Sequence, residues 1–241
     1  MTKSEEEYSG LQELISIEKC LKNYNSDIAH KIQSGWKYAN FNQPETLLDF
    51  GAGIGTLADI FRREFKVFPV CLELDTTSTD ILIKKGFSTI SSLDEIQDHS
   101  QSVIYTSNVL EHIEDDNETL RVLNNKMKKG GVLTIYVPAL PILYSEFDRV
   151  IGHYRRYQKR ELVSKVTKAG FTVKECYWND SIGILTSLAL KISGYKSTNK
   201  SRRENSLVFY DRFVYPISKI LDFVIFRKLI GKNLFLHATK P

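Results

Sequence analysis

Leu47-Leu48-Asp49-Phe50-Gly51-Ala52-Gly53-Ile54-Gly55 decides how the rest of the chain is read. A short, mostly apolar run enters a turn with glycine at every second position. Glycine accepts positive φ and lets a ligand approach the backbone without a Cβ in the way. After the turn, Leu57, Ala58 and Phe61 fall on one helical face, with Arg62, Arg63 and Glu64 on the other. Strand, glycine turn and helix together form the opening unit of a doubly wound sheet, in which ligands bind beyond the carboxyl ends of the strands.

Outward from the turn the same alternation repeats. Strands are expected at 46–50, 67–73, 87–90, 103–106, 132–137, 171–178 and 233–239. Helices are expected at 76–85, closed by Gly86, at 116–128, stopped by Gly130-Gly131, and at 159–169, capped by Gly170. This pitch implies an α/β fold with a mainly parallel sheet and helices on both faces. Ahead of it, apolar residues at 11–39 recur at helical spacing, with a break at 23–26 where Asn25 or Ser26 would cap a second helix, and residues 1–9 are expected to fray. Between the last two strands lie roughly fifty helical residues, far more than an α/β loop needs. The expected division is an N-terminal helical cap (1–45), the α/β domain (46–178), a helical insert or lid (179–232) and the last strand of the α/β domain (233–241).

Composition narrows the class of function. Across 241 residues the net charge is +4, with no basic block long enough for a nucleic-acid arm. Methylation of RNA would also bring steeply salt-dependent binding, for which this charge gives little support, so nucleic acid is not expected as a partner. Cys20, Cys71 and Cys176 lack a C-x-x-C pair, which excludes a zinc ribbon; no metal is expected. The N-terminus is acidic and polar, unlike a signal peptide, and no apolar stretch is long enough to span a bilayer, so a cytoplasmic location is expected.

The helix after Gly55 offers N–H groups and a positive dipole end to an anion. That anion would be pyrophosphate in a dinucleotide and the methionine carboxylate in S-adenosylmethionine. Glu73 lies 24 positions after Asp49, at the end of the second strand, where an acidic side chain commonly binds ribose hydroxyls. A nicotinamide dehydrogenase would need G-x-G-x-x-G; here the spacing is G-x-G-x-G, Thr56 stands where the last glycine would fall, and Asp49 precedes the turn. The balance favours the methyl donor.

With Val70 to Asp75, Ser107 to Asp115 and Lys129-Gly130-Gly131, the chain resembles class I S-adenosylmethionine-dependent methyltransferases over almost its whole length. It is similar in particular to a branch often encoded near glycosyltransferases, which carries a Tyr-Asn pair (Tyr24-Asn25) and a Gly-His-Tyr-Arg-Arg-Tyr motif (Gly152 to Tyr157). The resemblance implies a Rossmann-like seven-stranded sheet of order 3-2-1-4-5-7-6 with the seventh strand antiparallel. It also implies that Asp49, Gly51, Ala52, Gly53 and Gly55 hold the methionine end, Glu73 the ribose, and Leu74, Ser92 and Leu93 the adenine. Asn108 and Val109 would lie near the methionine group, and Tyr24 would close over the cofactor. Ser102 departs from the pattern, which usually has Asp there.

Methyl transfer from a sulfonium mainly requires alignment and, for a hydroxyl or amine, removal of a proton. His153 and His112 are the candidate bases, because histidine titrates near neutral pH. For His112 the favoured reading is a structural ring satisfied by Glu111 or Asp115, whereas His153, the better placed of the two, could equally be a latch that holds its loop to the sheet. Tyr154, Arg155, Arg156 and Tyr157 are candidates for the acceptor; the arginines could instead pair with Asp148, Glu146 or Glu161. The insert carries one apolar set from Ile182 to Ile192 and another from Phe213 to Leu229. A lid packed on the protein is favoured over an interfacial surface helped by Lys196, Lys200, Arg202 and Arg203. The expected activity is methyl transfer to oxygen or nitrogen of a small-molecule, saccharide or lipid-linked acceptor; the alternative is a non-catalytic cofactor-binding or scaffold protein of the same fold.

Overall fold

The computed structural model describes residues 3–40, 42–193 and 200–241, and the side chains of 10–40, 42–189, 191 and 204–241. Its sheet forms because each strand divides apolar residues between two faces, as the two-residue period of β structure requires. β1 (Leu47–Phe50), β4 (Gln101–Ser107), β5 (Met127–Pro138) and β7 (Asn233–Thr239) lie at its centre. Leu48, Ile104, Leu133, Ile135, Leu234 and Leu236 point to one side, and Leu47, Val103, Tyr105, Val132, Tyr136 and Phe235 to the other. β2 (Val70–Leu72), β3 (Thr89–Ile90) and β6 (Thr172–Asn179) complete seven strands in the order β3-β2-β1-β4-β5-β7-β6. β7 runs antiparallel to both neighbours and the other pairings are parallel. The expected order and the expected direction of the last strand are therefore observed.

The first face is covered by α5 (Asp116–Lys126) and α7 (Lys159–Lys168), through Leu120, Leu123, Leu162 and Val166. The second is covered by α2 (Lys22–Ser34), the 3-10 turn Gly35–Ala39 and the segment after α3 (Thr56–Ile60), through Ile28, Ile32, Trp36 and Phe61. α4 (Thr76–Lys84) ends before Gly86, whose φ is 83°. The helix expected at 116–128 stops earlier, at Lys126, since Met127 already pairs with Gln101 and a bulge follows before Val132 meets Val103. Ser102 is buried, and its N–H donates to Thr46 Oγ1 at 2.7 Å, so Thr46 braces the start of β4.

At the N-terminus the helix α1 (Lys3–Cys20) runs through residues expected to fray. α2 starts at Lys22, ahead of the expected caps at Asn25 and Ser26. Its cap comes from elsewhere: Asp211 accepts from the N–H groups of Asn23 (3.0 Å) and Tyr24 (2.8 Å). A carboxylate at a helix N-terminus satisfies orphan donors and favours the macrodipole.

The insert contains α8 (Gly183–Ser193), α9 (Lys200–Phe209) and α10 (Tyr215–Val224). In α10 the buried residues are Tyr215, Ser218 and Asp222. Asp222 accepts from the N–H groups of Asp180 (2.6 Å) and Ser181 (3.0 Å), and Ser218 Oγ accepts from that of Ile182 (3.1 Å). The apolar residues Leu185, Leu188, Phe213, Ile217, Ile220, Val224, Ile225 and Leu229 are exposed. Of the apolar sets expected to pack as a lid, Ile182, Ile184, Val214 and Leu221 are half-buried and the side chain of Ile192 lies outside the described residues; the inward positions of α10 include the polar Ser218 and Asp222, which satisfy the backbone after β6. Lys196, and the side chains of Lys200, Arg202 and Arg203, lie outside the described residues. Among the described residues no helix is long and apolar enough to cross a membrane.

Candidate active site

Two groups of residues gather along the carboxyl edge of the parallel strands. The first surrounds the glycine turn. Gly51 and Ala52 both donate to the Leu72 carbonyl, at 2.9 and 3.0 Å, which carries the β1–β2 ladder into the turn. Gly51 has φ of 80°, and a Cβ there would lie 2.3 Å from Val109 Cγ2, so both conformation and space require glycine. Gly55 has φ of 82°, and its Cβ would meet Leu82 at 2.7 Å.

Glu73 faces this turn across the end of β2. Its Oε2 accepts from Gly53 N–H at 2.7 Å, and its Oε1 from the N–H groups of Leu74 (2.8 Å) and Asp75 (2.9 Å). A carboxylate has roughly four lone-pair sites, so Oε2 can still take another donor. Asp49 is buried with Oδ2 unpartnered. Burial, with Glu73 adding repulsion, pushes the Asp49 carboxyl up to about 7. An unsatisfied buried acceptor beside a glycine-lined backbone fits a ligand bearing a cation or donors there, and an adenosine cofactor with an amino-acid end has both.

The remaining expected cofactor residues fall on the same edge. Leu74 is 75% exposed, and Ser92 caps the 3-10 turn Leu93–Glu95 just beyond β3, where Ser92 Oγ accepts from Asp94 N–H at 3.0 Å. Asn108, at φ 54°, follows β4 and donates its N–H to the Tyr136 carbonyl at 2.8 Å. Tyr24 is placed differently from a flap. Its hydroxyl lies 2.5 Å from that of Tyr136 and accepts from Asn233 Nδ2 at 3.0 Å. Burial pushes its phenol well above the usual tyrosine range, so it acts as a neutral hydrogen-bonding group. The turn is covered instead by α1, whose Leu14 Cδ1 would lie 3.4 Å from a Cβ at Gly53.

The second group lies at the end of β4 and in the loop after β5. Its hub is the buried Asp148 on α6 (Glu146–Val150). Asp148 Oδ2 accepts from Ser145 N–H and Oγ, both at 2.9 Å, and Oδ1 lies 2.8 Å from His153 Nδ1 and from Arg156 Nε. Burial alone would raise this carboxyl, but the His153 and Arg156 contacts outweigh it and hold it well below the usual carboxylate range. With Nδ1 committed to Asp148, His153 turns Nε2 toward Glu111 Oε1, 3.8 Å away. His112 stacks edge-on to His153, with ring centroids 4.5 Å apart.

Glu111 is fully buried with neither carboxylate oxygen hydrogen-bonded, and burial pushes it up to about 8. His112 reaches solvent on one side, yet the protein packed round its ring and the neighbouring His153 hold it down to about 4. Glu111, His112 and His153 each bring one ligand-type atom within 4.8 Å of the others, a donor set that could also hold a divalent ion. Sequence reading paired His112 with Glu111 only as a structural contact; it did not bring His153 to them, because the contact crosses from the β4 loop to the β5 loop.

Two expected acceptor residues are corrected. Tyr157 is buried and donates to Asp116 Oδ2 at 2.7 Å, and the buried Arg156 is used by Asp148. Arg155 also latches the loop, through Asp116 at 3.2 Å and the Glu114 carbonyl at 2.7 Å. Tyr154, 56% exposed, remains available on the surface.

A family model described as a methyltransferase domain matches residues 21–175. No curated protein matches the chain. Among solved structures, a SAM dependent methyltransferase from Archaeoglobus fulgidus is similar at TM-score 0.56 and 14% identity, over 90% of this chain and 94% of that one. Phosphoethanolamine N-methyltransferase 2 from Haemonchus contortus, in complex with S-adenosyl-L-methionine, gives TM-score 0.58 and 17% identity over 88% of this chain and 52% of its own. The cyclase SpnF gives TM-score 0.58 and 15% identity, over 88% and 80%. At such identities the likeness is one of fold.

Proposed function

The chain belongs to the methyltransferase-domain family, and from that premise we propose that it transfers a methyl group from S-adenosylmethionine to an oxygen or nitrogen of a small-molecule, saccharide or lipid-linked acceptor. The observation that carries this reading is the buried Asp49 carboxylate with a free oxygen, set directly before the Gly51–Gly55 turn and opposite Glu73. Asp49 and the turn would hold the methionine end and Glu73 the ribose, with Leu74, Ser92, Leu93, Asn108 and Val109 lining the rest. Bound there, the cofactor supplies a methyl group already activated by its sulfonium.

The chain's own residues then have two tasks: to place the acceptor and to take its proton. His112 is the group with both access and a free base form at neutral pH, since its conjugate acid is held at about 4. His153, fixed by Asp148, lies edge-on against His112 and braces its ring beside the acceptor. Tyr154 is the exposed aromatic of the loop against which an acceptor can rest.

Isothermal titration with S-adenosylmethionine, S-adenosylhomocysteine and NADH tests the donor. Binding of the first two is expected; binding of NADH alone would end the reading. The likeness to SpnF is a reminder that this fold also serves other chemistry. A product-release assay over an acceptor panel separates an enzyme, which yields S-adenosylhomocysteine with some acceptor, from a cofactor-binding protein that yields none.

A further inference from the structure

The insert is built inside out for a water-soluble surface. On α10 the inward positions are Tyr215, Ser218 and Asp222, while Ile217, Ile220, Phe223 and Val224 face solvent; Phe223 is 81% exposed and Ile220 64%. An amphipathic helix on a protein core normally turns its apolar stripe inward. Here the helix is held by polar contacts, and the apolar side has no protein against it among the described residues.

Charge follows the same division. Of the carboxylates between residues 204 and 232, Asp211 and Asp222 are buried, capping α2 and the chain after β6, and Glu204 is neutralised at the surface by Lys19. The cations Arg212 and Lys228 are exposed with the apolar residues, whereas Lys219 reaches back to the buried Asp27 at 2.6 Å. An apolar face interleaved with lysine and arginine, and cleared of exposed acids, matches the boundary of an anionic bilayer, where apolar side chains enter the acyl region and cations remain at the headgroups. A protein partner's buried interface would be depleted in lysine. Apolar residues are also exposed beside the loop after β5, where α8 packs against Pro141–Leu143 and α6 and leaves Ile142, Leu185 and Leu188 open.

We propose that this face, centred on Ile217, Ile220, Phe223 and Val224, docks the protein on the surface of an anionic lipid bilayer, lying on the membrane and not spanning it. The inference stands on the insert alone. Vesicle binding and cofactor binding can therefore fail independently, and loss of one reading leaves the other in place.

Flotation of the full chain with phosphatidylcholine vesicles containing about one-third phosphatidylglycerol tests it. Wild-type protein should float with these vesicles, less with phosphatidylcholine alone, and less again at high salt as the charges are screened. Ile220→Glu with Phe223→Glu should lower the bound fraction at least about tenfold, since two deeply inserting side chains become charged. Both positions are exposed, so thermal unfolding and S-adenosylmethionine titration should match wild type. Arg212→Glu with Lys228→Glu should remove the preference for anionic vesicles. No flotation, or flotation undiminished by the first pair, overturns the proposal. A solution dimer that Ile220→Glu with Phe223→Glu dissolves, without vesicle binding, overturns it in favour of a second copy as the occupant.

Discussion

Asp49 is where burial and function meet most directly. Its carboxyl titrates near 7 in the folded chain against 3.8 for the ordinary group. The neutral form is thus favoured by folding, and that contribution is fully present below about pH 4 and lost as pH rises through about 7. Asp49→Asn should therefore raise the melting temperature of the ligand-free protein at pH 8 and change it least at pH 4, as differential scanning fluorimetry would register. The same substitution should weaken S-adenosylmethionine, because the cofactor's ammonium, placed beside Asp49 as proposed, would favour the ionised carboxylate. Wild-type affinity should accordingly rise between pH 5.5 and 7.5, with proton release visible as a buffer-dependent titration enthalpy. Gly51 offers a second test. Alanine there must adopt φ near 80° and sit 2.3 Å from Val109. The backbone cost alone is about 1–2 kcal/mol, so Gly51→Ala should lower cofactor affinity more than tenfold, and adding Val109→Ala should restore only part of it.

Elements here are tied by carboxylates that come from far along the chain. α2 begins without a local side-chain cap, and Asp211 of the insert serves instead. Asp211→Ala should cost about 1–2 kcal/mol in urea unfolding, the size of a lost N-cap. The loop after β5 depends in the same way on Asp148, which gathers Ser145, His153 and Arg156. Asp148→Asn leaves the Arg156 charge poorly paired in a buried place and should destabilise the protein by about 3 kcal/mol. Because it also frees the His153 ring, the methyl-transfer rate should fall while the dissociation constant for S-adenosylmethionine stays close to wild type. A fall in both together would place Asp148 in the cofactor site and not in the acceptor loop.

At the scale of the whole molecule, the sheet was legible because its signals are local. Alternating apolar residues in β1, β4, β5 and β7 report two covered faces, and the glycines at 51, 53 and 55 report a turn that only they can make. Strand limits were less legible: Val67–Pro69 and Glu73 read as strand but lie outside β2, which pairs only through Val70–Leu72. The same gap separates the two halves of the site. Asp49, Glu73 and the turn lie on one strand–turn–helix–strand unit, so their order in the chain already implies their proximity. Glu111, His112 and His153 meet only because β4 and β5 are neighbours in the sheet, and no spacing within either segment carries that contact.

The insert marks the limit most clearly. Its apolar residues are plain at helical spacing, yet periodicity states only that a helix has two faces, not which of them meets protein. That was decided in three dimensions by the free N–H groups of Asp180, Ser181 and Ile182, which needed acceptors and took Asp222 and Ser218. A buried unsatisfied donor costs more than an exposed apolar side chain, so the polar face turned inward. By itself the sequence determined the strands, the turn and the class of cofactor, because those follow from neighbours along the chain, while the order of the strands came from the family resemblance. Only the tertiary structure decided the partners of Glu111, Asp148 and Asp211 and the outward face of the insert, because these depend on which hydrogen-bonding groups folding leaves to be satisfied.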